Sequence, residues 1–348
     1  MSKTLTEFIK KEAHASGFHL AGVTTPDPPP HLATFRNWLA KGRQAGMNYL
    51  ASERSIQRRS DPRKILAECQ SILVLGYRHP PPIENSLENE KNPSGQIAAY
   101  TSGRDYHLVL PEMMEKIVDN LQTRLGRTFP YRYYTDTGPI LERDLAQRAG
   151  LGWIGKNTCL ITPEYGSYFL LAEILLGIEL EPDPPFEAER CGSCTRCVEA
   201  CPTGCILPDR TLDAKRCISY LTIEHKDSIS DEMGARLGNH IFGCDICQQV
   251  CPWNGKAARN AVPFFKDEEQ ELNVNLLEEL KLDALGFNSK YRDTALMRTR
   301  RNRYLRNVII ALENSGFSDE NLEALRMLQD DDNDLVRNQS IRVLEKWT

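Results

Sequence analysis

The chain has 348 residues, 41% of them hydrophobic and 26% charged, with a net charge of −5. That balance fits a globular protein of two or three domains with a sizeable core. It excludes attraction of polyanions by overall charge, so any nucleic-acid contact needs a local basic patch. The opening MSKTLTEFIKKEAHASG has no apolar export core. The longest apolar stretch, Tyr168–Leu180, is broken by Glu173, Gly177 and Glu179 and is too short for a bilayer, which takes roughly 20 residues. The expectation is a cytoplasmic monomer with no membrane contact.

Thr4 and Glu7 fit a capping box ahead of a helix carrying Leu5, Phe8, Ile9 and Ala13. A short strand, His19–Val23, follows, and Pro26–Pro30 ends that unit. Ser71–Tyr77 (SILVLGY) reads as a buried strand and Pro111–Leu125 as an amphipathic helix. Tyr131–Thr135 reads as a strand, Leu141–Ala149 as a helix, and Tyr168–Ile178 as another buried element. Alternating strands and helices make residues 1–180 an α/β or α+β domain within an overall α+β chain. Glu181–Pro185 (EPDPP) reads as a linker. Residues 181–262, rich in Cys, Gly and Pro, form a domain held by bound metal more than by a core. Residues 270–348 are helical, with apolar faces at Leu305/Val308/Ile309/Leu312, Leu322/Leu325/Leu328 and Leu335/Val336/Ile341/Leu344, as in a small HEAT-like cap.

Nine of the eleven cysteines lie between Cys191 and Cys251, which points to metal rather than disulfides. Cys191, Cys194, Cys197 and Cys201 precede Pro202 in the C-x2-C-x2-C-x3-C-P run of bacterial ferredoxins, and Cys244, Cys247 and Cys251 precede Pro252 in a partial second run. This is not zinc-ribbon spacing. Soft thiolates suit 4Fe–4S clusters, and the last cysteine of each run crosses to the other cluster. Cluster one therefore takes Cys191, Cys194, Cys197 and Cys251. Cluster two takes Cys201, Cys244 and Cys247, with a fourth ligand from Cys217 or Cys205. Cys217 is preferred, because Cys205 sits where the turn leaves the cluster. Two such clusters make a short wire for one-electron transfer from an external donor.

The wire needs a terminus. Asp136, at a strand end beside Thr137-Gly138-Pro139, is placed to face a pocket, although an Asx turn would use the same residues. Gly150, Gly152 and Gly155 follow no strand and make a weak dinucleotide fingerprint. Asn157, Thr158 and Ser167 could bond a polar ligand, and Asp105, Tyr106 and His107 form a second polar loop. Lys290–Arg306 holds seven basic residues, among them Arg298, Arg300, Arg301 and Arg303, against Asp293 alone, with Tyr291 and Tyr304 interleaved. Arg54, Arg58, Arg59, Arg63 and Lys64 form a second patch. Each suits a solvated helix face or a phosphate backbone, and the pair favours a nucleic-acid partner.

Taken jointly, DTGP (Asp136–Pro139), ERDLAQRAGLGWIGKN (Glu142–Asn157), TPEYGSY (Thr162–Tyr168), CGSCTRCVEACPTG (Cys191–Gly204), RCISYLTIEH (Arg216–His225) and GCDICQQVCPWN (Gly243–Asn254) resemble the epoxyqueuosine reductase family over nearly the whole chain. The resemblance implies an oxidoreductase that reduces epoxyqueuosine to queuosine at the tRNA wobble position, the last step of queuosine biosynthesis. It implies a cobalamin-binding domain at 1–180, with base-off cobalamin reduced to cob(I)alamin through the two 4Fe–4S clusters, as in reductive dehalogenases. Asp136 becomes the proton donor beside the cofactor, which requires its pKa to be raised by burial. Arg59, Asn157 and Ser219 become cobalamin contacts, Arg143 a tRNA contact, and Cys217 a ligand of the second cluster. Ala98 stands where some relatives carry a cysteine near the cobalt. No D-x-H-x-x-G motif occurs, so no histidine ligand to cobalt is indicated. The alternatives are an organohalide reductase and a non-catalytic electron-transfer subunit.

Overall fold

The computed structural model describes residues 2–82, 93–257 and 271–347; the expected domain edges at 1, 262, 270 and 348 lie outside the described residues. In chain order the strands are β1 (Leu20–Thr24), β2 (Ser71–Arg78), β3 (Ser94–Ile97), β4 (Tyr131–Tyr134), β5 (Trp153–Ile154), β6 (Leu160–Ile161), β7 (Phe169–Leu176), β8 (His240–Phe242) and β9 (Asn273–Asn275).

The main sheet has the order β1-β2-β7-β4, and every neighbouring pair is antiparallel. That pairing decides for α+β over a parallel α/β sheet. The run SILVLGYR is apolar nearly throughout because helices cover both faces of β2. Leu73, Leu75, Ala172, Ile174 and Leu176 pack with the helices Ser2–Ala15 and Tyr106–Leu125. On the other face, Ile72, Val74 and Leu175 pack with Leu145 and Ala146 of the helix Glu142–Arg148 and with Ala149 just after it.

Two helix starts differ from expectation. The first helix already includes Ser2, so Thr4 lies inside it and does not cap it. Thr6 Oγ1 instead donates to Glu181 O and accepts from Glu181 N. The helix expected from Pro111 begins at Tyr106, because Asp105 caps it by accepting from His107 N. Pro111 removes one helical hydrogen bond, which the burial of Tyr106, Val109 and Leu110 offsets. The early start places His107 Nε2 3.4 Å from Asp136 Oδ2.

A second sheet, β8-β3-β9, draws one strand from each of the three expected segments. The apolar core beneath it joins Ile97, Ile241, Phe242 and Val274 to Leu305, Val308 and Ile309. The expected linker is stapled down as well: Asp183 pairs with Lys10 at 2.6 Å and accepts from Val23 N at 2.8 Å. The C-terminal helices Arg300–Ser315, Asp319–Arg326 and Asp334–Trp347 pack on one another. Among the described residues no helix is long and apolar enough to cross a membrane.

Candidate active site

Cys191, Cys194, Cys197 and Cys251, the four thiols expected at cluster one, line a single cavity of about 300 Å³. Trp153 Nε1 donates to Cys191 Sγ at 3.5 Å, and Lys156 Nζ donates to Gly192 O and Cys194 O at 2.7 and 2.9 Å. In the second group Cys205 Sγ lies 3.5 Å from Cys201 Sγ. Either sulfur can donate in that contact, and the sharing of a proton with Cys205 lowers the Cys201 and Cys217 thiols. Cys244 and Cys247 feel the charge of Cys217, and Cys159, absent from the expected ligand set, shares a hydrogen bond with Cys247. Among the described residues no three His, Cys, Asp or Glu side chains are grouped to hold a single metal ion, whereas a cubane holds its thiolates apart on separate irons. The second run is entered through Gly243, whose φ of +69° favours glycine and whose added Cβ would meet Ala98 Cβ at 2.5 Å.

Between the main sheet and the cysteine segment lies a cleft of two adjoining cavities, about 500 and 430 Å³. Both are lined by Asp136, Glu142, Arg143 and Tyr49. Ser219 and Cys217 form the far wall of the larger one, and Arg59 lines the smaller. Buried Arg59 donates to Ser55 Oγ and to Gly138 O, at 3.4 Å for the latter, so it also braces the loop that carries Asp136. Asn157, expected at the cofactor, lies instead on the cluster-one cavity, with Nδ2 donating to Cys247 O at 3.4 Å. The strand β5 that precedes it packs against the cysteine segment through Trp153.

Asp136 adopts φ +57°, a left-handed conformation uncommon for a side-chain-bearing residue. Glu142 Oε1 fixes the loop by accepting from Asp136 N at 2.7 Å. Arg298 Nη1 donates to Asp136 Oδ2 at 2.6 Å, and His107 Nε2 lies 3.4 Å from the same oxygen. His107 Nδ1 is 2.7 Å from Asp105 Oδ1. Burial pushes the Asp136 carboxyl up, but the nearby His107 ring and the charge of Arg298 outweigh it and hold the group far below the usual carboxylate range. The expected raised pKa is therefore corrected: in this arrangement the proton rests on His107. Burial opposes charge on that ring, yet Asp105 and then Asp136 lift it to about 9. His107 was only a loop candidate in the sequence, because its partners come from two separate segments.

Part of the basic patch is tied to internal acceptors, with Arg306 buried, whereas Lys290, Arg292 and Arg298 remain exposed. Arg298 pairs with Asp136 and with Glu224 at 3.0 Å. Arg301 forms a two-pronged pair with Asp331 and donates to Leu282 O. Arg303 donates to Ile223 O, Thr299 O and Arg298 O. Arg306 is fully buried, and the interleaved Tyr291 and Tyr304 are buried too, both donating to Glu279 Oε2 at 2.8 Å. Arg300 stays exposed. Arg143, also exposed, donates to Thr158 O at the cleft rim.

A family model described as a 4Fe-4S double cluster binding domain matches residues 190–254, and one described as epoxyqueuosine reductase QueG, DUF1730, matches residues 59–137. An epoxyqueuosine reductase from Xanthomonas campestris pv. campestris is 38% identical over 94% of this chain and 92% of its own length. One from Escherichia coli is 34% identical over 92% and 84%. The crystal structure of an epoxyqueuosine reductase with an epoxyqueuosine-modified tRNA-Tyr stem loop superposes with a TM-score of 0.89 at 30% identity, covering 99% of this chain and 90% of that one. A Bacillus subtilis epoxyqueuosine reductase whose catalytic aspartate loop is swung out of the active site gives 0.84 at 29% identity, covering 99% and 90%. The chain belongs to the epoxyqueuosine reductase family.

Proposed function

We propose that this chain reduces epoxyqueuosine to queuosine at the wobble position of tRNA, with electrons relayed through two 4Fe–4S clusters to a base-off cobalamin in the cleft. The observation that carries the reading is the position of Asp136. It lines both cavities of a cleft whose opposite wall, Cys217 and Ser219, belongs to the cluster segment. The relative solved with an epoxyqueuosine-modified stem loop supports tRNA as the substrate.

Cys191, Cys194, Cys197 and Cys251 would hold cluster one. Cys201, Cys217, Cys244 and Cys247 would hold cluster two, with Cys217 preferred because it lines the cleft while Cys205 is buried. The cleft suits a flat macrocycle fringed with amides: Leu170, Leu171 and Ile223 offer an apolar wall, and Ser167, Ser219 and Arg143 offer polar groups. Arg59 would reach the part of the cofactor that extends into the smaller cavity. Bound cobalamin supplies the low-potential reducing chemistry.

The protein supplies position and protons. Reducing an epoxide to an alkene and water consumes two electrons and two protons. Arg298 and His107 hold the resting Asp136 ionised; Asp136 takes a proton from His107 and donates it at its carboxyl oxygen to the departing epoxide oxygen as a general acid. Arg143 and Arg300 are the exposed cations placed for the tRNA backbone. We read residues 1–180, 181–262 and 270–348 as catalytic, ferredoxin-like and HEAT-like regions of a cytoplasmic monomer. A reducing compartment suits its free thiols.

The test is reconstitution with cobalamin and a reductant, followed by mass analysis of nucleosides from epoxyqueuosine-containing tRNA. Wild type should yield queuosine and Asp136→Asn should not; near-normal turnover by Asp136→Asn would sink the acid role.

A further inference from the structure

We infer that Glu142 and Glu173 form a buried proton store behind Asp136 that supplies the second of the two protons the reaction consumes. This rests on the proposed reduction and on Asp136 as its acid. The two electrons come from the external donor through the clusters, and the epoxide oxygen leaves as water. One carboxyl carries one proton at a time, so Asp136 must be recharged within a turnover, when cofactor and nucleoside occupy the cleft.

His107 stands on one side of Asp136. On the other stands Glu142, which bonds the Asp136 backbone and lines both cavities. Glu142 opens the helix Glu142–Arg148, which packs on β7. Glu173 sits in the middle of β7, paired in register with Tyr134, two residues before Asp136. The strand's alternation puts Glu173 on the face that carries Leu171 and Leu175, the face covered by that helix. Glu173 is 0% exposed, and neither carboxyl oxygen has a hydrogen-bond partner. An apolar residue would pack there without the penalty of an unpartnered buried polar group.

Such a group survives as the neutral acid. Burial first, then the charges of Glu142 and Asp136, raise Glu173 well above the carboxylate range. Burial first, then Asp136, lifts Glu142 to about 7, against the opposing cations Arg143 and Arg59. Three carboxyls therefore feel one another's charge behind one loop, with Asp136 ionised and protons held behind it. When Asp136 has passed on the proton taken from His107, Glu142 hands on a second, and Glu173 refills Glu142 through a bridging water.

Glu142→Gln keeps the acceptor for Asp136 N–H, and Glu173→Gln keeps a neutral buried side chain, so both preserve the fold while removing a transferable proton. Each is expected to lower kcat of the reconstituted enzyme by about tenfold or more, leave KM for tRNA unchanged, and alter the neutral limb of the kcat–pH profile. Infrared spectroscopy of the purified protein at neutral pH should show a protonated-carboxyl band that Glu173→Gln removes. Wild-type kcat and pH profile in both variants, or no such band in wild type, overturns the store. Asp136→Asn run alongside separates the readings. If Asp136→Asn is inactive while both Gln variants behave as wild type, the store alone falls. If Asp136→Asn turns over normally, the acid role falls and the store with it.

Discussion

Arg298 Nη1 lies 2.6 Å from Asp136 Oδ2, across 162 residues of chain. This contact ties the C-terminal segment to the loop after β4 and places a cation on the carboxylate proposed as the acid. Replacing Arg298 with Met removes that cation and leaves His107. Asp136 should then keep its proton to higher pH, moving the corresponding limb of the kcat–pH profile up by about one pH unit or more. A profile identical to wild type would show that Arg298 does not govern Asp136.

His107 carries a linked stability effect. Its folded-state pKa of about 9 lies above the ordinary histidine value of 6.5. The stabilisation is therefore complete below about 6.5 and is lost as pH rises through about 9. Wild type should lose on the order of 2 kcal/mol across that window, and His107→Gln should be much flatter there. Urea unfolding between pH 6 and pH 10 measures it, and parallel curves would contradict the assignment.

The arginines of the 298–306 stretch should separate by experiment. Arg300→Ala should weaken tRNA binding and reduce the slope of log Kd against log salt by about one, with little change in melting temperature. Arg301→Ala strands Asp331, whose side chain is 6% exposed, and should destabilise the fold by about 1–3 kcal/mol. Equal salt slopes for wild type and Arg300→Ala would remove Arg300 from the interface.

Iron analysis distinguishes the two candidate fourth ligands. Cys217→Ser should lose the second cluster and about half the iron, whereas Cys205→Ser should keep both clusters. The opposite pattern would reverse the ligand assignment.

The cysteine runs were legible because cluster ligation is local: two-residue spacing alone brings Cys191, Cys194 and Cys197 to one cavity, and the crossed Cys251 follows from the same rule. The strand Ser71–Arg78 and the face Leu305/Val308/Ile309/Leu312 were equally plain, since periodicity and run length record burial directly. Asp136 was legible as a pocket residue from its Gly-Pro turn, but its ionisation state was not.

Composition, the cysteine spacing and the DTGP and ERDLAQRAGLGWIGKN motifs by themselves determined a cluster protein with an acidic residue at a pocket. Tertiary structure alone decided that Arg298 and His107 hold that acid ionised, and that Arg301, Arg303 and Arg306 are turned inward. It also decided that Glu173, which reads in sequence as a break in an apolar run, lies unpartnered beneath the active loop. The reason is physical. Local spacing fixes which side chains share a turn, but a charge acquires its role from the partners and the solvent exclusion that distant segments impose when the sheet and its helices close.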